Sequence, residues 1–318
     1  MRYRKLGRWG LKVSEISLGA WTTFGDAVQD RETIRSIVRI AYDAGVNFFD
    51  NADAYARGRA EEVMGEILAE FPRHTLVLSS KAFWPQSEDP NDRGLSRKHL
   101  RESLAKSLKR LRTDYLDLYF CHRYDPEVPM EEIVSTMSRF IDEGRVLYWG
   151  TSEWPPARIV EAVEVARQGG WHPPAVEQPQ YSMLYRERVE REILPEAQAR
   201  GLGLVVWSPL AQGMLTGRYD EGIPPASRFE RLPQLGARYV TEDNRLKVRA
   251  LRPIAERLGL TRTQLALAWV LRQPGISSAI TGASRPEQLQ ESLGAAGVEL
   301  SPEVLAEIDA ILTGGPQG

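Results

Sequence analysis

The sequence predicts a (β/α)8 TIM barrel with an N-terminal β-hairpin and extra C-terminal helices, and three observations carry that expectation. Eight short apolar runs with strand character alternate with helical segments from about residue 15 onward, which asks for parallel strands joined by helical crossovers. Eight such units in 318 residues suit a closed barrel better than an open doubly wound sheet. No linker, charge block, low-complexity segment or repeat divides the chain, so one domain is expected over residues 1–318.

The elements follow in order. Residues Tyr3 to Val13, with Gly7 and Gly10 between apolar pieces, read as the hairpin, and the first barrel strand ends at Gly19. Asp30 opens a helix whose Ile34, Ile37, Val38 and Ala41 share a face, closed by Gly45. Strand 47–50 leads to a helix over about 60–70. Strand 76–80 leads to a helix capped by Ser96, with Leu100, Leu104, Leu108 and Leu111 along it. Strand 115–120 precedes a helix over about 130–143, and strand 146–151 precedes one whose first turn holds Pro155 and Pro156. Strand 175–179, a helix near 188–200 and strand 203–207 come next. A long loop is expected from Ser208 to about Thr241, then two helices, the second opened by Thr261 and Gln264 as a capping box. The eighth strand is 277–280, followed by helices from Pro286 and from Ser301-Pro302.

Composition excludes several classes. The chain is 42% hydrophobic and 26% charged with a formal net charge of -2, so nothing draws it to nucleic acid. No apolar run approaches the ~18 residues that span a bilayer, and MRYRKLGRWG lacks the apolar core of a signal peptide. One cysteine, Cys121, precludes an internal disulfide. A cytoplasmic location without membrane insertion is the expectation. His74, His99 and His172 look peripheral, and no metal site of usual spacing is supported.

In such a barrel the active site is built at the C-terminal ends of the strands. Strand two ends at Asp50, with Tyr55 in the adjoining loop. Strand three ends at Lys81 with Trp84 nearby, and strand four ends at His122. Strand five ends at Ser152, Glu153 and Trp154, strand six at Gln178 and strand seven in the run from Trp207 through Ser208 and Pro209. Phenol, ammonium, carboxylate and imidazole at one mouth suit hydride delivery to a carbonyl, which requires a proton for the developing alkoxide. An ammonium beside the phenol favours phenolate and lowers its pKa, the carboxylate holds the ammonium, and the imidazole orients the carbonyl. The plainer alternative is a structural Asp50–Lys81 ion pair with a satisfied histidine at the rim. Trp84 reads equally as packing or as an aromatic lid. Nucleotide-phosphate, zinc-protease and hydrolase motifs are missing, and GLGLVV at 201–206 precedes its strand, where a dinucleotide turn must follow one.

NFFDNADAY with GRAEEVMG, the SSK at 79–81 and His122 resemble the aldo-keto reductase superfamily. RGLSRKHL, YWGTSEW, WSPLAQGMLTGRYDEGIPP, IAERLGLTRTQLALAWVLR and GASRPEQLQESLGA look most like its branch of voltage-gated potassium-channel β-subunits and their bacterial reductase relatives. The resemblance runs end to end. It implies an NADPH-dependent carbonyl reductase on a (β/α)8 barrel, with a tetrad of Asp50, Tyr55, Lys81 and His122 in which Tyr55 is the acid. It places the nicotinamide against Ser152 and Gln178 with Trp207 stacked on its ring, runs the pyrophosphate along Ser208, Leu210 and Gly213 with Arg218 and Arg228, and counts Trp21, Asp50 and Pro209 among the cofactor contacts. The adenosine end would lie over Gly282, Ser284, Arg285, Gln288 and Glu291. Ser284 or Arg285 beside a 2′-phosphate favours NADP(H) over NAD(H).

Trp21, Tyr55, Trp84, His122, Tyr124 and Trp154 are expected to border an apolar or aromatic carbonyl substrate. The resembled channel subunits have asparagine at the His122 position, arginine at Glu153 and asparagine at Ser292. The histidine is the form of the more active reductases. The rival reading is an NADP(H)-binding regulatory subunit of a potassium channel or another membrane partner, with slow turnover. The branch also implies a homo-oligomer, a tetramer by resemblance. A weaker third reading is a barrel hydrolase or lyase without nicotinamide.

Overall fold

The computed structural model describes residues 1–225 and 227–314; Ala226, inside the expected 208–241 loop, and the last four residues lie outside the described part. The chain begins with β1 (Tyr3–Lys5) and β2 (Lys12–Ser14), paired antiparallel as a hairpin. Eight parallel strands then close on one another: β3 (Ile16–Gly19), β4 (Phe48–Asp50), β5 (Val77–Ala82), β6 (Leu116–Cys121), β7 (Val146–Ser152), β8 (Val176–Gln178), β9 (Gly203–Trp207) and β10 (Ile276–Thr281). They follow chain order around the barrel, and β10 pairs with β3 to seal it.

Between them run α1 (Arg31–Asp43), α2 (Arg59–Leu68), α3 (Arg97–Leu111), α4 (Met130–Asp142), α5 (Pro156–Gly169) and α6 (Leu194–Arg200). The segment between β9 and β10 carries α7 (Arg228–Arg231), α8 (Pro233–Tyr239), α9 (Glu242–Ala250), α10 (Arg252–Arg257) and α11 (Arg262–Leu271), and α12 (Pro286–Leu293) and α13 (Pro302–Thr313) close the chain. The expected caps are present: Asp30 accepts from Thr33 N, Ser96 from His99 N, and Thr261 with Gln264 forms the full capping box.

Apolar side chains divide by strand parity. Phe48, Val77, Leu118, Phe120, Val176, Val205 and Ile280 fill the lumen, joined by Leu6 and Val13 of the hairpin, which plugs the N-terminal end. The alternate residues, such as Phe49, Leu78, Tyr119 and Leu204, face the helices in the larger outer core. The fit of the hairpin is close: at Gly7, φ +56, an added Cβ would lie 2.3 Å from the Gly201 carbonyl oxygen.

The structure corrects four expectations. The 208–241 stretch is folded into a 3-10 turn at Ala211–Thr216 followed by α7 and α8. Helices of 4 and 7 residues are too short for an apolar repeat to register. A stack of buried rings holds them, Tyr219 on Phe229 at 4.5 Å and Phe229 on Tyr239 at 5.8 Å. The helix near 188–200 begins as a π turn at Val189–Ile193, because Pro195 lacks the N–H that a continuous α-helix would use. The single helix expected before Thr261 is two, broken at Leu251 ahead of Pro253. His99, read as peripheral, is fully buried on α3 and away from the cavity described next. No helix among the described residues is long and apolar enough to cross a membrane.

Candidate active site

Strand parity delivers the polar residues to one place. Counting by twos from the luminal residues gives Phe48 to Asp50, Val77 to Lys81, Phe120 to His122, Val176 to Gln178 and Val205 to Trp207. Apolar side chains thus occupy the lower lumen on these five strands, and the luminal position at the C-terminal end of each of them is polar or aromatic. Above them opens a cavity of about 1090 Å³.

Its floor is an ion pair. The Lys81 side chain is wholly buried, and its Nζ donates to Asp50 Oδ2 at 2.7 Å, to the Asn51 carbonyl at 2.6 Å and to Tyr55 Oη at 3.2 Å. Three ammonium hydrogens thus have three acceptors. Asp50 Oδ1 in turn accepts from Ser79 Oγ at 2.7 Å and Gln178 Nε2 at 3.1 Å. Because Lys81 donates to the phenol oxygen, the hydrogen of Tyr55 is free to point into the cavity.

The charge states differ in part from expectation. Burial pushes the Tyr55 phenol well above its ordinary pKa, Asp50 adds to that, and Arg123 opposes it. Desolvation therefore outweighs Arg123, and the resting residue is a phenol, against the anticipated fall. Burial also lowers the Lys81 ammonium, with Asp50 working against it. His122 is held well below its usual range by burial first, then by Lys81 and Arg123, so its ring is neutral. That ring meets Tyr55 edge-on at 5.8 Å and Trp84 at 6.1 Å. Its Nδ1 is sealed without a partner, which leaves Nε2 for a ligand.

The cavity extends from this floor across β9 and β10. Every residue of the expected cofactor set lies on its wall, from Trp21 and Ser152 through Ser208–Gly213 to Glu291. Trp207 crosses Trp21 edge-on at 5.5 Å, and its indole Nε1 donates to Glu153 Oε1 at 3.0 Å. Ser152 Oγ donates to the Gln178 carbonyl at 2.9 Å. The loop beyond β9 holds Ser208, Ala211 and Gln212 at positive φ of 52°, 48° and 59°, strained backbone of which Ser208 and Gln212 line the cavity, and places Gly213 at 96°. Arg228 reaches the same wall, donates to Gln212 Oε1 at 2.6 Å and makes no ion pair among the described residues. A half-buried guanidinium with no ion pair opposite it fits a phosphate ligand. At the far end Gln288 Oε1 accepts from Ser284 N at 2.8 Å and Ser284 Oγ at 3.0 Å, beside Arg285 at the start of α12.

Two expected substrate contacts stand elsewhere. Trp154 is fully buried and meets Tyr124 edge-on at 5.3 Å, and neither borders the cavity. Trp21 and Trp84 do border it, 38% and 40% exposed. Sequence reasoning missed Arg123, Gln212 and Arg231, all on the wall. Arg123 had a signal, since it directly follows His122. The other two lie in the stretch read as irregular loop.

The comparisons agree with this geometry. The Aldo/keto reductase family model matches residues 15–313. A probable voltage-gated potassium channel subunit beta of Oryza sativa subsp. japonica is 47% identical over 324 residues, covering 100% of this chain and 98% of its own. One of the same description from Arabidopsis thaliana is 48% identical with the same coverage. A matching family model over nearly the whole chain, on a closed barrel with this site at its mouth, identifies the protein as a member of the aldo/keto reductase family, with the oxidoreductase role and nicotinamide cofactor typical of that family.

Proposed function

We propose that the protein is an NADPH-dependent reductase of aldehydes and some ketones, with Tyr55 as proton donor. The carrying observation is the Lys81 ammonium shared between Asp50 and Tyr55 at 2.7 and 3.2 Å on the cavity floor. The reduced nicotinamide, when bound, supplies the hydride. Asp50 fixes Lys81, and Lys81 stabilises the phenolate left when Tyr55 gives its proton to the new alkoxide. Neutral His122 orients the carbonyl through Nε2. Trp207, braced by Glu153, presents its face to the cofactor ring, and Ser152 and Gln178 offer their remaining polar capacity to its amide. Arg218 and Arg228 take the pyrophosphate, and Arg285 with Ser284 takes the 2′-phosphate that distinguishes NADP(H).

The relatives' description supports a second reading, a subunit of a potassium channel. On that reading the chain would bind NADP(H), turn over slowly and assemble as a tetramer, as the sequence resemblance implies. Fluorescence titration with NADPH and NADH, followed by an aldehyde panel read at the reduced-nicotinamide absorbance, separates the two. Tighter NADPH binding with steady oxidation by aldehydes supports the reductase. Tight binding without turnover favours the subunit, and binding of neither cofactor overturns both.

A further inference from the structure

The cavity wall carries a cation that proton delivery does not need. Arg123 leaves β6 directly after His122, and its guanidinium carbon lies 5.5 Å from the centre of the Trp84 ring. Its hydrogen bond is to the carbonyl oxygen of His122, and it makes no ion pair among the described residues. The acids around it are engaged or turned away. Asp50 is held by Lys81, and Glu153 by Arg188, Gln180 N and the Trp207 indole. Glu177 sits on the outward parity of β8 and accepts from Thr151. A partly buried guanidinium without a counter-charge is costly, yet it is kept beside the reacting centre.

Its position in the barrel separates it from the phosphate-binding arm. The closed strand order runs β10-β3-β4-β5-β6-β7-β8-β9, so β6 lies diametrically opposite β10. Arg218, Arg228 and Arg285 follow β9 and β10, whereas Arg123 stands across the mouth with Trp84 and His122. We propose that Arg123 seats an anionic group of the substrate, so that the preferred substrates are aldehydes or ketones bearing a carboxylate or phosphate monoester a short distance from the carbonyl. The planar fork of donors matches either anion, and the Trp84 ring beside it gives the intervening carbon skeleton an apolar surface. This assignment rests on the reductase reading of the same site.

The test uses matched pairs differing only in charge, 3-formylbenzoate against its methyl ester and glycolaldehyde phosphate against glycolaldehyde. Binding to the protein saturated with NADP+ is followed by tryptophan fluorescence, which requires no turnover. In wild type at least one charged member binds roughly ten-fold or more tighter than its neutral partner. Arg123→Gln brings that ratio close to one, and Arg123→Lys restores part of it, while NADP+ affinity verifies the fold of each variant. Equal binding of both pairs by wild type overturns the proposal, as does a ratio that survives in Arg123→Gln. A variant that weakens charged and neutral members equally also overturns it, because Arg123 then acts only through Tyr55 and His122. Reduction of the methyl ester by NADPH is scored separately. If the charge ratio is found but none of the four aldehydes oxidises NADPH, the anion seat stands and the reductase reading fails.

Discussion

Tyr55 is held as a phenol by burial, and its oxygen accepts from Lys81, which leaves its own hydrogen available to the cavity. A phenol pushed upward in pKa suits transfer to an alkoxide, a far stronger base, provided that the phenolate is stabilised as it forms. Lys81 is placed for that. Tyr55→Phe keeps the ring and its packing and removes only the transferable proton. Turnover of aldehydes should fall on the order of 10²- to 10⁴-fold, with cofactor affinity unchanged in a fluorescence titration. Retention of most of the activity would show that another group donates the proton. The raised phenol pKa adds a sign: Tyr55 stays protonated through neutral and mildly alkaline pH, so no loss of turnover on its account is expected there.

The loop carrying Tyr55 is pinned by the elements on either side. Asp53 Oδ2 accepts from Ser103 Oγ of α3 at 2.7 Å, and the fully buried Glu61 of α2 accepts from Arg110 Nε of α3 at 2.6 Å. Between them Ala56, Arg57 and Gly58 take positive φ of 48°, 54° and 85°, a tight turn that begins α2 right after the phenol. The packing of α2 on α3 depends on Gly65, where an added Cβ would lie 2.2 Å from the Arg110 carbonyl oxygen and 2.6 Å from Leu111 Cα. Both obstacles are backbone and cannot rotate away. Gly65→Ala should therefore cost about 3 kcal/mol or more, read as a lowered denaturation midpoint, and should reduce kcat by shifting the Tyr55 loop. A melting curve matching wild type would mean that the two helices separate more easily than their contact suggests.

Two acids outside the reacting set tie stability of the whole molecule to pH. Burial raises Asp53 to about 7 and Glu177 to about 8, so both stay protonated in the fold where an unfolded chain has already released its protons. With folded values above unfolded ones, their contribution is fully present below the ordinary carboxylate range and is lost as pH rises toward 7 and 8. Stability should thus decline from about pH 5 to pH 8 and then level off on their account. Glu177→Gln keeps an acceptor for Thr151 and removes one titrating group. Urea unfolding at several pH values should show a shallower decline for the variant and a clear gain over wild type at pH 8. Parallel slopes would mean that Glu177 is ionised in the folded protein.

The sequence by itself determined the barrel, the hairpin and the existence and order of the eight strands, with several ends one or two residues off. It also placed Asp50, Lys81 and His122 at strand tips with Tyr55 in the adjoining loop, because each rests on local periodicity and on position relative to a strand tip. Asp50, Lys81 and His122 were legible since two-residue alternation carries a luminal apolar side chain straight to the next luminal position. Charge state was decided only in three dimensions: Lys81 beside Tyr55 suggested a lowered phenol pKa, but the depth of burial, which no spacing reveals, reverses the direction. Tertiary structure also moved Trp154 and Tyr124 behind the wall and folded 208–241 around buried rings, since contacts between distant segments fix those positions. It brought Arg123 into the mouth for the same reason. Its parity points away from the lumen, and only the turn after β6 and the approach of Trp84 from β5 give its charge a place beside the reacting centre.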